Sequence, residues 1–171
     1  MSETILDTNL AVTIFTRPLG QPTAEWQELD QGPGRITIPG EYEVYVRARN
    51  IDDVELYGLV RALVEVPHLT CLNLSENRKI SDVGLSRLAP LSSLTRLNLS
   101  SCFISWQGLS NLTPLKKLEV LDISYCNRLT DESLRVLKTM PRLMSIDIQG
   151  CVKTSHAGVR KIERRGLTIH R

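Results

Sequence analysis

The stretch LEVLDISYCNRLTDESL runs from Leu118 to Leu134, and its apolar residues change spacing halfway along. Leu121 and Ile123 alternate with other residues, the period of a strand that buries one face. Leu134, Leu137 and Met140 then recur at every third residue, as on one face of a helix. The same phrase stands at three other places. It starts at Leu69 with Leu72, Leu74 and Asn77, at Leu94 with Leu97, Leu99 and Cys102, and at Leu143 with Ile146, Ile148 and Cys151. The units are 24 or 25 residues long. A strand and a helix in so few residues cannot bury their apolar faces alone, whereas stacked units share one continuous core. The expected fold is therefore an α/β solenoid: a short arc with parallel strands on its concave face and helices on its convex face.

The turns between elements fit this frame. Ser81, Ser105, Thr130 and Ser155 share one column just ahead of the helices, where a hydroxyl caps free backbone amides. Asp82 and Asp131 follow, at the positive end of the helix dipole. Pro67, Pro90, Pro114 and Pro141 lie between each helix and the next strand, where a missing amide ends the helix. On these residues the chain resembles the leucine-rich repeats of the cysteine-containing type, over residues 69 to 165. Asn77 takes the cysteine column of that pattern, and Trp106 and His156 take its Asp column. The resemblance implies a right-handed solenoid of a kind found in the substrate-binding halves of F-box proteins. No F-box helical segment is read ahead of the repeats, so a part in ubiquitin-ligase recruitment is not expected.

Residues 1–40 are expected to form an N-terminal β cap and residues 41–171 the repeat domain. The latter divides into a degenerate unit 41–68, units 69–93, 94–117, 118–142 and 143–166, and a closing strand 167–171. In the degenerate unit Val44 and Val46 align with Leu72 and Leu74, and IDDVEL at 51–56 aligns with ISDVGL at 80–85. Four extra residues before the next unit predict the longest helix here, by about one turn. RITIPGEYEVYVR reads as a hairpin turning at Pro39 and Gly40. QGPGR and the opening residues read as loop or tail. Leu167 aligns with either Leu143 or Ile146.

Composition excludes several classes. Lys and Arg number 21 against 19 Asp and Glu, a net charge of +2, which does not suit a polybasic nucleic-acid binder. No apolar run is long enough to span a bilayer, and no charged leader precedes an apolar stretch. Cys102, Cys126 and Cys151 repeat with the units and lack the C-x-x-C pairing of a zinc site, so they read as buried structural thiols, with no metal or cofactor. Cys71 alternates with Leu72 and is expected to face outward. Free thiols point to a reducing compartment, the cytoplasm. No nucleophile elbow, phosphate loop or metalloprotease motif is present, and His68, His156 and His170 fall at unlike places, so an enzyme is not expected.

What remains is a protein-binding module, acting as an adaptor or, alternatively, as a scaffold packed through its ends or convex side. The outward strand residues form three expected rows: Tyr45, Asn73, Asn98, Asp122 and Asp147; Arg47, Ser75, Ser100, Ser124 and Gln149; and Glu43, Cys71, Arg96, Val120 and Ser145. Asp122 and Asp147 stand on neighbouring strands about 4.8 Å apart, an arrangement that a basic partner group would relieve. Trp106, an aromatic in an acid column, is a further contact candidate. Arg160, Lys161, Arg164 and Arg165 make a basic C-terminal end, the alternative surface for phosphate, nucleic acid or an acidic protein.

Overall fold

The computed structural model describes residues 3–171; the reading of Met1 and Ser2 as tail lies outside them. The N-terminal segment is β throughout. β1 (Glu3–Thr8) pairs antiparallel with β4 (Gly34–Pro39) as a small separate sheet, while β2 (Val12–Pro18) and β3 (Gln27–Gln31) join the main one. The repeats supply β5 (Tyr42–Ala48), β6 (Leu69–Asn73), β7 (Arg96–Asn98), β8 (Val120–Asp122), β9 (Ser145–Asp147) and β10 (Thr168–His170). These six lie parallel and in chain order, and β2 then β3 continue the sheet antiparallel beyond β5. Leu72, Leu97, Leu121 and Ile146 face one another in register, all buried in the single core.

The other face of that core is covered by α1 (Asp53–Leu63), α2 (Asp82–Leu85), α3 (Trp106–Asn111), α4 (Asp131–Leu134) and α5 (His156–Arg160). At 11 residues α1 is the longest, and the others are short. The reason is the leucine spacing itself. A period of three matches i to i+3 hydrogen bonding rather than the α-helix. Leu88 N–H donates to Leu85 O, Leu91 N–H to Leu88 O and Leu94 N–H to Leu91 O, and Leu109, Leu112, Leu115 and Leu118 form the same chain. Each expected helix is thus one α turn followed by tighter turns, which bring every third apolar side chain to the core.

The helix starts are tied from unit to unit. Ser81 donates its N–H and hydroxyl to Asp53 of the preceding unit, at 2.8 and 2.5 Å. Ser105 does so to Asp82, at 2.7 Å each, and Ser155 to Asp131, at 2.6 Å each. The Asp column therefore serves the next helix along, and the Ser155 bonds hold the Asp131 carboxyl below its usual range. Close approach is possible because Gly84, Gly108 and Gly158 stand two residues into those helices, where a Cβ would overlap the carboxylate. The exception is the α3–α4 step. Trp106 replaces the acid there, and Ser133 takes the Gly place. Its hydroxyl accepts the Thr130 N–H at 3.1 Å.

Five sequence expectations are corrected. The segments around Pro39 and Gly40 form a corner between two sheets, since β4 pairs with β1 and β5 with β2 and β6. The opening residues 3–8 are strand, and QGPGR shrinks to a two-residue turn between β3 and β4. In β5 it is Val46 that faces Leu72, so Tyr45 to Arg47 shift by two residues from the expected alignment, and beyond an irregularity Val44 faces Leu69. The helix alignment of IDDVEL with ISDVGL holds nonetheless, because only Arg49 and Asn50 separate Ala48 from Ile51, against five residues between Leu74 and Ile80. At the far end Ile169 faces Ile146, which places Leu167 opposite Met144 rather than Leu143 or Ile146.

Asn77 fills the space left by that short first turn. Buried, it accepts the Ile51 N–H at 2.9 Å and donates to Ala48 O and Leu74 O, both at 2.9 Å. The cysteines of later units have only the carbonyl to satisfy. Cys102 Sγ donates to Leu74 O, Cys126 Sγ to Leu99 O and Cys151 Sγ to Ile123 O, at 3.1–3.2 Å.

Candidate functional site

The register shift in β5 re-sorts the outward rows. Arg47, Asn73, Asn98, Asp122 and Asp147 lie side by side, and Tyr45, Cys71, Arg96, Val120 and Ser145 form the row beside them. Glu43 leaves the third row and pairs with Arg17 at 2.6 Å. Tyr45 remains at the first row's end all the same, because its hydroxyl accepts from Asn73 Nδ2 at 3.1 Å. Gln149 is exposed, two residues beyond Asp147.

The Asn and Asp side chains of the first row have a structural task as well. Asn73, Asn98, Asp122 and Asp147 each accept the backbone N–H two residues on, at 2.8–3.0 Å, and so turn the chain out of its strand. Asp122 keeps its second oxygen for Asn98 Nδ2, at 2.9 Å. Asp147 faces it in register, and among the described residues its second oxygen accepts no hydrogen bond.

The N-terminal strands add what sequence reasoning missed. Phe15 of β2 stacks on Tyr45 with ring centroids 4.9 Å apart, and Trp26 meets Tyr45 edge-on at 5.6 Å. Arg17 lies over the Trp26 ring at 4.5 Å, and Arg47 over Phe15 at 5.2 Å. This cluster walls one end of a hollow of about 360 Å³ on the strand face, which Arg96, Asn98, Val120 and Asp122 also line. The alternation of Val12, Ile14 and Thr16 with Thr13, Phe15 and Arg17 was the available signal. It sits outside the repeat and so had no column to be compared with.

Cys71 points to this face, yet it is 6% exposed, between the register neighbours Tyr45 and Arg96. It faces outward as the alternation predicts, but its neighbours cover the thiol. Burial pushes its thiol up, and the charges of Arg96 and Arg17 act against that without prevailing. Burial likewise raises the others, Cys102 to about 12. All four cysteines are free and buried. Denaturing, non-reducing thiol titration should therefore count four, while the folded chain should react only at the rate at which it opens. Recovery of a disulfide between Cys102 and Cys126 would contradict this.

Trp106 is exposed, at the start of α3 on the helix side and away from the strand-face hollow. The basic end is only partly available. Arg164 donates to the carbonyls of Leu137, Met140 and Leu143, at 3.2, 2.6 and 2.9 Å, and so closes the preceding unit. Arg160, Lys161 and Arg165 are exposed. Among the described residues no three His, Cys, Asp or Glu side chains gather as a metal site, and no helix is long and apolar enough to cross a membrane.

Comparison with known proteins agrees with this architecture. One leucine-rich repeat family model matches residues 67–89 and 115–138, and a second matches 93–115. The matched segments are leucine-rich repeats. Among solved structures it is similar to one described as the complex of Rad7 and Elc1 in yeast, with a TM-score of 0.58 and 22% identity. That likeness covers 70% of this chain and 30% of the other, so the chain spans under a third of the length of the structure it matches. No curated protein matches the chain.

Proposed function

We propose that this chain is a non-enzymatic protein-binding module whose concave strand face receives a basic segment of a protein or peptide. The observation that carries the reading is the outward row running from the Arg47, Tyr45 and Trp26 cluster to Asp122 and Asp147. Arg47, Tyr45, Asp122 and Asp147 stand on the parallel sheet outside the core, and Tyr45 and Asp122 line a hollow to which Trp26 adds a second aromatic wall. Solenoids suit such work because outward residues vary without disturbing the stack. The structural likeness to a chain from the complex of Rad7 and Elc1 supports a protein partner. A lysine or arginine placed between Asp122 and Asp147 would relieve their repulsion and gain charge-assisted hydrogen bonds.

The double replacement Asp122→Asn and Asp147→Asn tests this. Stability should change by no more than about 1 kcal/mol, since amides keep the turn bonds, as Asn73 and Asn98 do, and loss of the Asn98 Nδ2 bond to Asp122 is set against removal of a like-charge pair. A basic partner should bind about 1–3 kcal/mol more weakly. The measurement compares proteins retained by immobilised wild type, by the double variant and by Arg160→Glu with Arg165→Glu. Arg164 is left intact because it supports the fold. If the double variant retains the same partners while the arginine reversal loses them, the concave face is not the site.

A further inference from the structure

A second surface lies on the rim where the strands turn into the helices. Arg78, Phe103, Tyr125 and Arg128 line a hollow there of about 460 Å³, which no Asp or Glu lines. All four are exposed, Phe103 by 56% and Tyr125 by 52%. The repeat frame extends the charge along the rim. Lys79, Phe103, Arg128 and Lys153 hold one column, each just ahead of a buried residue of its unit. Ion pairs among the described residues are Arg17 with Glu43 and Arg135 with Glu132, so these cations are unpaired. Arg128 is held in place, its guanidinium 4.4 Å over the Phe103 ring and bonded to the Phe103 carbonyl at 3.4 Å.

Tyr125 stands there against a conformational cost. Its φ is 57°, in the left-handed region that disfavours bulky side chains. Glu76, Ser101 and Gly150 hold the same place in other units at φ 65°, 62° and 70°, so the repeat imposes the conformation whatever the residue. The Tyr125 ring packs over Gly150, where a Cβ would overlap it. The repeat thus holds an exposed ring beside unpaired cations.

We propose that this rim binds an acidic segment of a partner protein, with a carboxylate seated between Arg78 and Arg128 and an apolar side chain on Phe103 and Tyr125. The surface is separate from the concave face, where Arg47 and Arg96 stand beside Asp122 and Asp147, and it carries cations alone. Single-stranded nucleic acid fits less well, because stacked bases need open ring faces. One face of Phe103 already carries Arg128, and Tyr125 is backed against Gly150.

Titration of the 15N-labelled chain with the peptide Ac-Glu-Glu-Leu-Glu-Glu-NH2 tests the proposal, with the Gln analogue and a ten-residue oligothymidylate as parallel arms. The acidic peptide should shift the amide signals around Phe103, Tyr125 and Arg128. The Arg78→Gln, Arg128→Gln variant should weaken this by roughly tenfold or more, with its thermal unfolding unchanged. Absence of those shifts, equal shifts with the Gln analogue, or shifts confined to the 160–165 end would each overturn it. Oligothymidylate moving the same signals at lower concentration than the peptide would assign the rim to nucleic acid instead. The concave-face variant Asp122→Asn, Asp147→Asn should leave these shifts intact, so failure of one reading does not carry the other with it.

Discussion

Replacing Asn77 with Leu should cost the fold about 2–6 kcal/mol, the sum of leaving two buried backbone groups without this partner at about 1–3 kcal/mol each. The groups are the Ile51 N–H and the Ala48 carbonyl; Leu74 O, also bonded to this amide, keeps the Cys102 thiol. Asn77→Cys separates the contributions. A thiol can still donate to the carbonyl of the preceding unit, here Ala48 O, as Cys102 does to Leu74 O, but gives the Ile51 N–H a poor acceptor. That variant should lose about 1–3 kcal/mol. Chemical denaturation of the three proteins reads both differences. A cysteine variant as stable as wild type would mean that the short first turn does not require an amide, and the account of why this column departs from cysteine would fail.

Leu97→Ala should lower stability by about 2–5 kcal/mol, the range for a core leucine whose cavity cannot close. Leu97 is 2% exposed and lies between Leu72 and Leu121 in register, so its removal opens the middle of the stack rather than an end. Ser100→Ala, on the outward side of the same turn, should cost far less. Equal losses from the two would mean that the inward and outward faces are not distinguished as described.

Residues that recur were legible because each column states the same environment several times. The inward leucines, the capping hydroxyls and the three late cysteines could be placed from spacing alone, and the structure puts them there. Non-repeating residues gave no such redundancy. Ala48 is a weak apolar signal, so β5 was aligned two residues out, and Tyr45 and Arg47 moved with it. Phe15 and Arg17 belong to a strand whose partner β5 is distant in sequence, Trp26 precedes a strand, and no local pattern announces that they reach the concave face. Spacing also concealed a distinction of helix type. A three-residue period was read as one face of a helix, and it is better read as a run of i to i+3 turns. Cys71 shows a further limit, since alternation gives the direction of a side chain and not what its neighbours cover.

The bonds that tie each helix start to the unit before it constrain how such an array can grow or be rearranged. A unit beginning with a capping Ser and carrying Gly two residues into its helix, as at Gly84, Gly108 and Gly158, is complete only when an Asp precedes it upstream. The unit with Thr130 and Ser133 brings its own acceptor and follows Trp106 without loss. Duplicating the Trp106 unit ahead of a Gly-type unit would strand a serine amide, whereas duplicating the Asp82 unit would yield a compatible junction. Tandem expansion, recombination between arrays and the design of longer ones therefore obey an adjacency rule written in two positions per unit, by which some orders of the same modules fit together and others do not.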